Sequence, residues 1–354
     1  MKQQTRRKFL ATGTTIATAL AFPNIWIRRA SAAGAVVCRS PGGLYGEALT
    51  KAIYEPFTKA TGIEVVGIAA NTAKVLAMVE ARKIELDVLD VTEVTGLILR
   101  AKNALEPINY KAFKYTNPDD LSGISQPDMC PSNRSANVIV YNTQVFPTGN
   151  HPKSWADVWD AKRFPGPRML QSLDAGFPEL EAALLADGVP IDKLYPLDVG
   201  RAFASLTRVK PFVAQFYDTG GTQLDMLASK EVVTGSAYNG RIQVGVDKGA
   251  PVGIEWNQAN VQNQIMGVLK GGPNTENAQR FVDFAFQPQV QAEFAKYIPY
   301  GPTNKKAMQY VAKDVAAKLP NNYADRYFLQ DSKWWADNRA RVAQIWAKWI
   351  LQKS

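Results

Sequence analysis

One histidine and two cysteines are the whole supply of imidazole and thiol in this 354-residue chain. His151 stands alone, which excludes a multi-histidine metal site, and its setting, Gly149-Asn150-His151-Pro152, reads as a surface turn. There is no G-x-x-x-x-G-K-[ST] phosphate loop, no G-x-G-x-x-G fingerprint, no H-E-x-x-H and no G-x-S-x-G. Asp218 to Thr222, "DTGGT", sits at a helix start where backbone N–H groups hold anions in other proteins, but a plain turn is the better reading. Trp334, Trp335, Trp346 and Trp349 recur at helical spacing, the mark of packing residues. The balance favours binding without bond-making, with neither cofactor nor metal expected.

Whatever binds must be held by an α/β framework. "IEVVGIAA" (63–70) reads as a buried strand, and "NTAKVLAMVEARK" as a helix capped by Asn71 or Thr72. "DVLDVT" (87–92) is the next strand, followed by a helix to Lys102. Strand, helix, strand implies a parallel sheet with binding loops at the carboxyl ends of its strands. The pattern resumes with "ANVIVYN" (136–142) and "SWADVWDAK", where Ser154 and Asp157 form a capping box. It continues through "RMLQS", "PFVAQFYD", "VVTGSAY", "PVGIEW" and "IMGVLK" as strands, and from Asn274 the chain reads as helical almost to its end. No Gly/Ser/Pro linker divides the chain, so two lobes, expected for about 320 mature residues, imply repeated crossings between them.

The N-terminus sets the compartment. Thr5-Arg6-Arg7-Lys8-Phe9-Leu10 opens an uncharged run to Ile27 that is interrupted by Pro23 and followed by Ala30-Ser31-Ala32. The run is too weakly apolar for a span of roughly 20 strongly apolar residues. An arginine pair, a mild apolar region and a small-x-small site together read as a twin-arginine export signal over residues 1–32, cleaved near Ala32. The net charge of +9 includes six bases of that segment (Lys2, Arg6, Arg7, Lys8, Arg28, Arg29), which has no acid, so +3 remains. That is no nucleic-acid stripe. Export would expose Cys38 and Cys130 to an oxidising compartment, and sequence leaves their pairing open. Val37 before Cys38 excludes a lipid-attachment site, so a soluble periplasmic protein is expected.

"GGLYGEALTKAIYEPFTKATGIEV" (42–65), "DVLDVTE", "WADVWDAKRFPG", "SAYNGRI", "ENAQRFVDFAFQPQVQAEFA" and "YGPTNKKA" resemble, in order and over nearly the whole mature chain, periplasmic solute-binding proteins of ABC importers, the spermidine/putrescine-binding branch in particular. The resemblance implies a type II two-lobe periplasmic-binding-protein fold, each lobe a β-sheet flanked by helices, closing by a hinge on a solute. It further implies a monomer that delivers its solute to an inner-membrane permease. It places residues 33–136 and 266–305 in the first lobe and 137–265 and 306–354 in the second, with crossings near Ser135 to Asn137 and Gln262 to Gly267.

It also suggests the cleft. Tyr45, Thr92, Tyr238 and Tyr300 match family cleft positions, Glu93 lies beside Thr92 as an amine partner, and Asp174 is what remains of an acidic pair, with Pro178 where a glutamate is expected. Gln262 and Gln264 replace an aromatic and a carboxylate. Trp256 is a candidate for stacking on the solute and Arg241 for clamping a carboxylate. Each has a plain alternative: Glu93 as a helix-start charge, Asp174 as a turn residue, Trp256 as core, Arg241 as a surface ion pair, and Gln258, Gln262 and Gln264 as residues of an irregular connection. The expected solute is a small amine, either a polyamine or an amine/carboxylate zwitterion such as 4-aminobutyrate. An exported enzyme on the same fold and a ferric-ion trap are the alternatives.

Overall fold

The computed structural model describes residues 34–121, 126–218 and 220–352. The segment read as an export signal, residues 1–32, lies outside the described residues. Apolar and β-branched segments form β1 (Ala35–Ser40), β2 (Glu64–Ala69), β3 (Val88–Thr92), β4 (Leu105–Glu106), β5 (Cys130–Asn142), β6 (Arg168–Gln171), β7 (Val213–Tyr217), β8 (Thr234–Tyr238), β9 (Val252–Leu269), β10 (Gly301–Pro302) and β11 (Tyr327–Leu329). They join in one path, β2-β1-β3-β9-β5-β8-β6-β7, with β10 on β5 and both β4 and β11 on β9. β1 is parallel to β2 and β3, and β6 to β7 and β8, as the strand–helix–strand alternation requires.

Helices cover both faces, and their starts are legible in the sequence. Asn71 Oδ1 accepts from Lys74 N at 2.9 Å, and Ser154 Oγ accepts from Asp157 N at 3.2 Å. The Asp157 carboxylate reaches back to Lys153 N at 2.9 Å, one residue short of a closed capping box. Buried side chains gather in two sets. Phe57, Phe281, Phe286 and Leu89 belong to cores on the β1–β3 side, while Trp155, Leu170, Trp335 and Tyr217 belong to cores on the β6–β8 side.

Among the described strands only β5 and β9 run through both sets, antiparallel to each other; the helix Glu93–Ala101 also touches both, with Val94 in one and Leu99 in the other. Along β5, pairing with β10 ends at Arg134 and pairing with β8 begins at Asn137. Along β9, pairing with β11 covers Ala259 to Val261 and pairing with β3 covers Gln264 to Val268. Around Ser135–Ala136 and Gln262–Asn263 the sheet is therefore just two strands wide. A two-stranded ribbon joining two wider, well-packed sheets is where bending costs least.

Several elements differ from the sequence reading. "PVGIEW" and "IMGVLK" are the ends of one 18-residue strand, β9, not two strands with an irregular connection between them. Gln258 marks an irregularity within it: its φ is +63°, its Oε1 accepts from Trp155 N and its carbonyl from Trp155 Nε1, so the strand continues while anchoring a helix. β2 is an edge strand with largely exposed residues, not a buried one. Past Tyr297 the chain is not continuously helical. β10, β11, two 3-10 turns and one four-residue helix, Lys313–Ala316, occupy it up to the helix Ser332–Ile350, because Pro299, Pro302 and Pro320 interrupt the ladder. His151 is buried, stacked on Tyr141 at 4.2 Å and bonded to Glu255 at 3.1 Å, where a surface turn was expected. Both cysteines are free and buried. Among the described residues no helix is long and apolar enough to cross a membrane.

Candidate functional site

Side chains alternate along a strand, so residues 133, 135 and 137 of β5 share a face with their partners 264, 262 and 260 of β9. All six are uncharged and polar: Asn133, Ser135, Asn137, Asn260, Gln262 and Gln264. An apolar ladder would suit a buried ribbon better. The buried Asn133 Oδ1, Ser135 Oγ, Asn137 Oδ1, Asn260 Oδ1 and Gln262 Oε1 have no hydrogen-bond partner among the described residues. Each costs about 1–3 kcal/mol if left unsatisfied, so their concentration at the hinge points to a polar guest.

From the first lobe, the helix Gly43–Leu49 brings Tyr45 to Asp90, the middle residue of β3. Its hydroxyl donates to Asp90 Oδ2 at 2.7 Å and accepts from Asn133 Nδ2 at 2.8 Å. Ser132 Oγ donates to Asp90 Oδ1 at 3.2 Å and accepts from Asn133 Nδ2 at 3.4 Å, closing a ring. Burial pushes the Asp90 carboxyl up to about 6, against the opposing pull of Tyr45, Arg39 and Ser132. Beside it a cavity of about 20 Å³, lined by Asp90, Ser132, Asn133, Gln291 and Tyr300 among others, has room for one water. The Tyr45 ring lies 5.8 Å from that of Tyr300.

From the second lobe, Asn137 Nδ2 donates to Gln171 Oε1 at 2.9 Å and Glu179 Oε1 at 2.8 Å, which turns its own oxygen away. Gln171 Nε2 donates to the Tyr238 hydroxyl at 3.0 Å. Burial raises Glu179 to about 7, opposed by hydrogen bonds from Ser236 and Asn137. Sequence reading missed Glu179, one residue past Pro178; its first-turn position disguised it as a helix-start charge.

Arg241, in the helix Asn239–Asp247, is half-buried and has no carboxylate or hydrogen-bond partner among the described residues. Its guanidinium lies over Gly220, where a Cβ would stand 3.0 Å from its Cζ. Gly240 likewise admits the Tyr300 ring: a Cβ there would stand 2.6 Å from its Cε1. Burial raises both Tyr300 and Tyr238, and the Arg241 charge pulls both back down, while Glu179 pushes Tyr238 further up. Tyr238 therefore feels a cation and a carboxylate at once.

The structure thus brings Tyr45, Tyr238, Tyr300, Arg241 and Gln264 to one region; the Gln264 backbone pairs with both Asn133 and Thr92. It does not bring the rest there as free groups. The Thr92 hydroxyl caps a helix through Thr95 N at 3.3 Å. Glu93 accepts from Asn263 Nδ2 and Ser332 Oγ, both at 3.0 Å, tying the helix Glu93–Ala101 to the start of the helix Ser332–Ile350. Asp174 is exposed in a turn, near Arg339. Trp256 stacks on Tyr323 at 4.2 Å within the second-lobe core.

Two packed lobes joined by a narrow polar ribbon, with unpaired groups at the junction, define a solute trap. Its residues 52–325 match the bacterial extracellular solute-binding protein family, and the chain belongs to that family. It is 32% identical over 323 residues to a gamma-aminobutyric acid-binding protein of Pseudomonas aeruginosa, covering 88% of this chain and 89% of that protein. With a spermidine/putrescine-binding periplasmic protein of Escherichia coli it shares 24% over 186 residues, 52% of each chain. A solved GABA receptor, 31% identical, superposes with a TM-score of 0.82 over 90% of this chain and 98% of that one. Its relatives are solute-binding proteins of ABC importers, and the kinship does not favour an exported enzyme or a ferric-ion trap.

Proposed function

We propose that this protein captures a small zwitterion with an amine and a carboxylate at opposite ends, 4-aminobutyrate or a close analogue, and hands it to an ABC permease. The observation that carries the reading is Arg241, half-buried beside Tyr238 and Tyr300 and without a carboxylate partner among the described residues. A partly desolvated guanidinium lacking an anion is poised for one from the solute, and its planar fork suits a carboxylate. The Tyr300 hydroxyl supplies a second donor. The ammonium end falls to the first-lobe end of the polar ladder, where Asn133 Oδ1 and Gln262 Oε1 are buried without a partner among the described residues. Tyr45, Tyr238 and Tyr300 cover the methylenes. A dicationic polyamine would meet Arg241 with an unpaired like charge, which costs Coulomb energy at partly buried distances.

In this reading residues 33–136 and 266–305 form one lobe and 137–265 and 306–354 the other. Solute contacts with both stabilise the closed form, which the permease distinguishes from the open one. The protein makes and breaks no bonds, and it works in the periplasm after twin-arginine export and cleavage near Ala32. The kinship supports the solute class: the gamma-aminobutyric acid binder aligns over most of both chains, the polyamine binder over about half.

Titration calorimetry with 4-aminobutyrate and putrescine, which have equal carbon counts, tests it. Wild type should prefer 4-aminobutyrate. Arg241→Ala should weaken that ligand by roughly 10- to 100-fold, the 1.5–3 kcal/mol of a charged hydrogen-bonded contact, and leave putrescine equal or tighter. Tight putrescine binding indifferent to Arg241→Ala refutes the assignment.

A further inference from the structure

Asn133 is the first rung of the polar ladder on the first-lobe side, and the ring around Asp90 decides which end of its amide is free. An ionised carboxylate accepts only. With Asp90 ionised, the hydroxyls of Tyr45 and Ser132, at 2.7 and 3.2 Å from its two oxygens, must both donate to it. Their lone pairs are then left to accept, and both face Asn133 Nδ2, at 2.8 and 3.4 Å. The two amide hydrogens of Asn133 are consumed, and its Oδ1 remains buried without a partner among the described residues.

We infer that Asp90 is a positioning residue which, without touching the solute, fixes the direction of every hydrogen bond in this ring and so makes the first-lobe wall present an oxygen acceptor that selects an ammonium group. The inference rests on the reading of the site as a zwitterion trap. Protonation of Asp90, or an amide in its place, adds a donor to the ring. One hydroxyl must then reverse, the constraint on Asn133 is lifted, and its NH2 can replace the oxygen at the ladder, where an ammonium is repelled. The adjoining cavity admits about one water, so bulk solvent does not screen the exchange.

The charged and titratable groups around Asp90 leave it as the switch. Arg39 of β1 binds its backbone carbonyl and favours ionisation. Tyr45, Tyr54 and Cys38 are all raised by burial and stay neutral through neutral pH. The side facing Ser132, Gln291 and Tyr300 carries no other carboxylate among the lining residues. Burial brings the Asp90 transition to about pH 6, inside a range where the ligand's own amine and carboxylate remain charged. Glu179, on the other lobe, titrates near 7 and is common to every variant at position 90.

The test compares wild type with Asp90→Asn. The ratio of their affinities for 4-aminobutyrate should rise about tenfold between pH 5, where roughly a tenth of Asp90 is ionised, and pH 7.5. Tyr45→Phe, which cuts the ring but keeps the carboxylate, should flatten the same component. In ligand-free protein the Asn133 side-chain NH2 resonances, assigned by their loss in Asn133→Ala, should shift with a midpoint near pH 6 and cease to titrate in Asp90→Asn. A constant affinity ratio, or Asn133 resonances indifferent to pH in the wild type, overturns the inference. Should wild type ignore 4-aminobutyrate, the solute assignment fails by itself, and the ligand-free resonances still decide the role of Asp90.

Discussion

Replacing Glu179 by Gln removes a charge and little else, because Gln keeps the Oε1 that accepts from Asn137 Nδ2 and the Gln171 backbone N–H. Burial holds Glu179 at about 7 against an ordinary 4.5. The folded chain thus keeps the proton that the unfolded chain sheds. For a pKa raised on folding, the stabilisation is fully present below pH 4.5 and is lost as pH climbs through 7. At about 1.4 kcal/mol per unit, the loss by pH 8.5 is about 3 kcal/mol. Glu179→Gln has no proton to lose at this position, so its stability relative to wild type should improve by that amount between pH 4 and pH 8.5. For a chain of roughly 320 residues, an unfolding entropy of about 2.1 cal/mol/K per residue converts this to ~4–5 °C. Glu181, also raised by burial, adds through its charge to the upward shift of Glu179.

Urea unfolding of both proteins across this range, without solute, reads the effect. A stability difference that stays constant from pH 4 to pH 8.5 refutes the claim that this carboxyl is buried and proton-holding.

Gly220→Val should displace the Arg241 guanidinium, since a side chain there occupies its place. Calorimetry should show a loss of 4-aminobutyrate affinity of the same order as Arg241→Ala, and unaltered binding would remove Arg241 from the site. Converting Arg6 and Arg7 together to Lys should retain the precursor in the cytoplasm, as fractionation would show; undiminished export would argue against a receptor that reads the arginine pair.

The periodic features were legible in the chain. Parallel strand–helix alternation, the caps at Asn71 and Ser154, and the packing role of the tryptophans follow from contacts within a few residues, and these are what spacing encodes. Where a long-range partner decides, spacing failed. β9 reads as two strands because Gln258 and its polar neighbours look like a connection, whereas pairing with β5 carries the strand through them. Residues 304–319 read as one helix because their alternation of lysine, alanine and valine suits one, but pairing of β10 with β5 and of β11 with β9 claims the flanks, and only Lys313–Ala316 forms an α-helix there.

The same distinction governs the site. Glu93 stands out beside Thr92 and Asp174 as the remnant of an acidic pair, yet Glu93 is engaged by Ser332, 239 residues away, and Asp174 faces solvent. Glu179 looked like an ordinary first-turn acid, and only its approach to Asn137, 42 residues earlier, reveals a buried carboxylate at the hinge. A sequence displays which groups carry charge, but not which charges the fold has already matched. In the proposed reading Arg241 and the hinge oxygens matter because folding leaves them unmatched, and an unmatched polar group near a hinge is stable only if something else completes it. For a solute trap that deficit is the recognition element, since the closed lobes are held together by the molecule that supplies the missing partners.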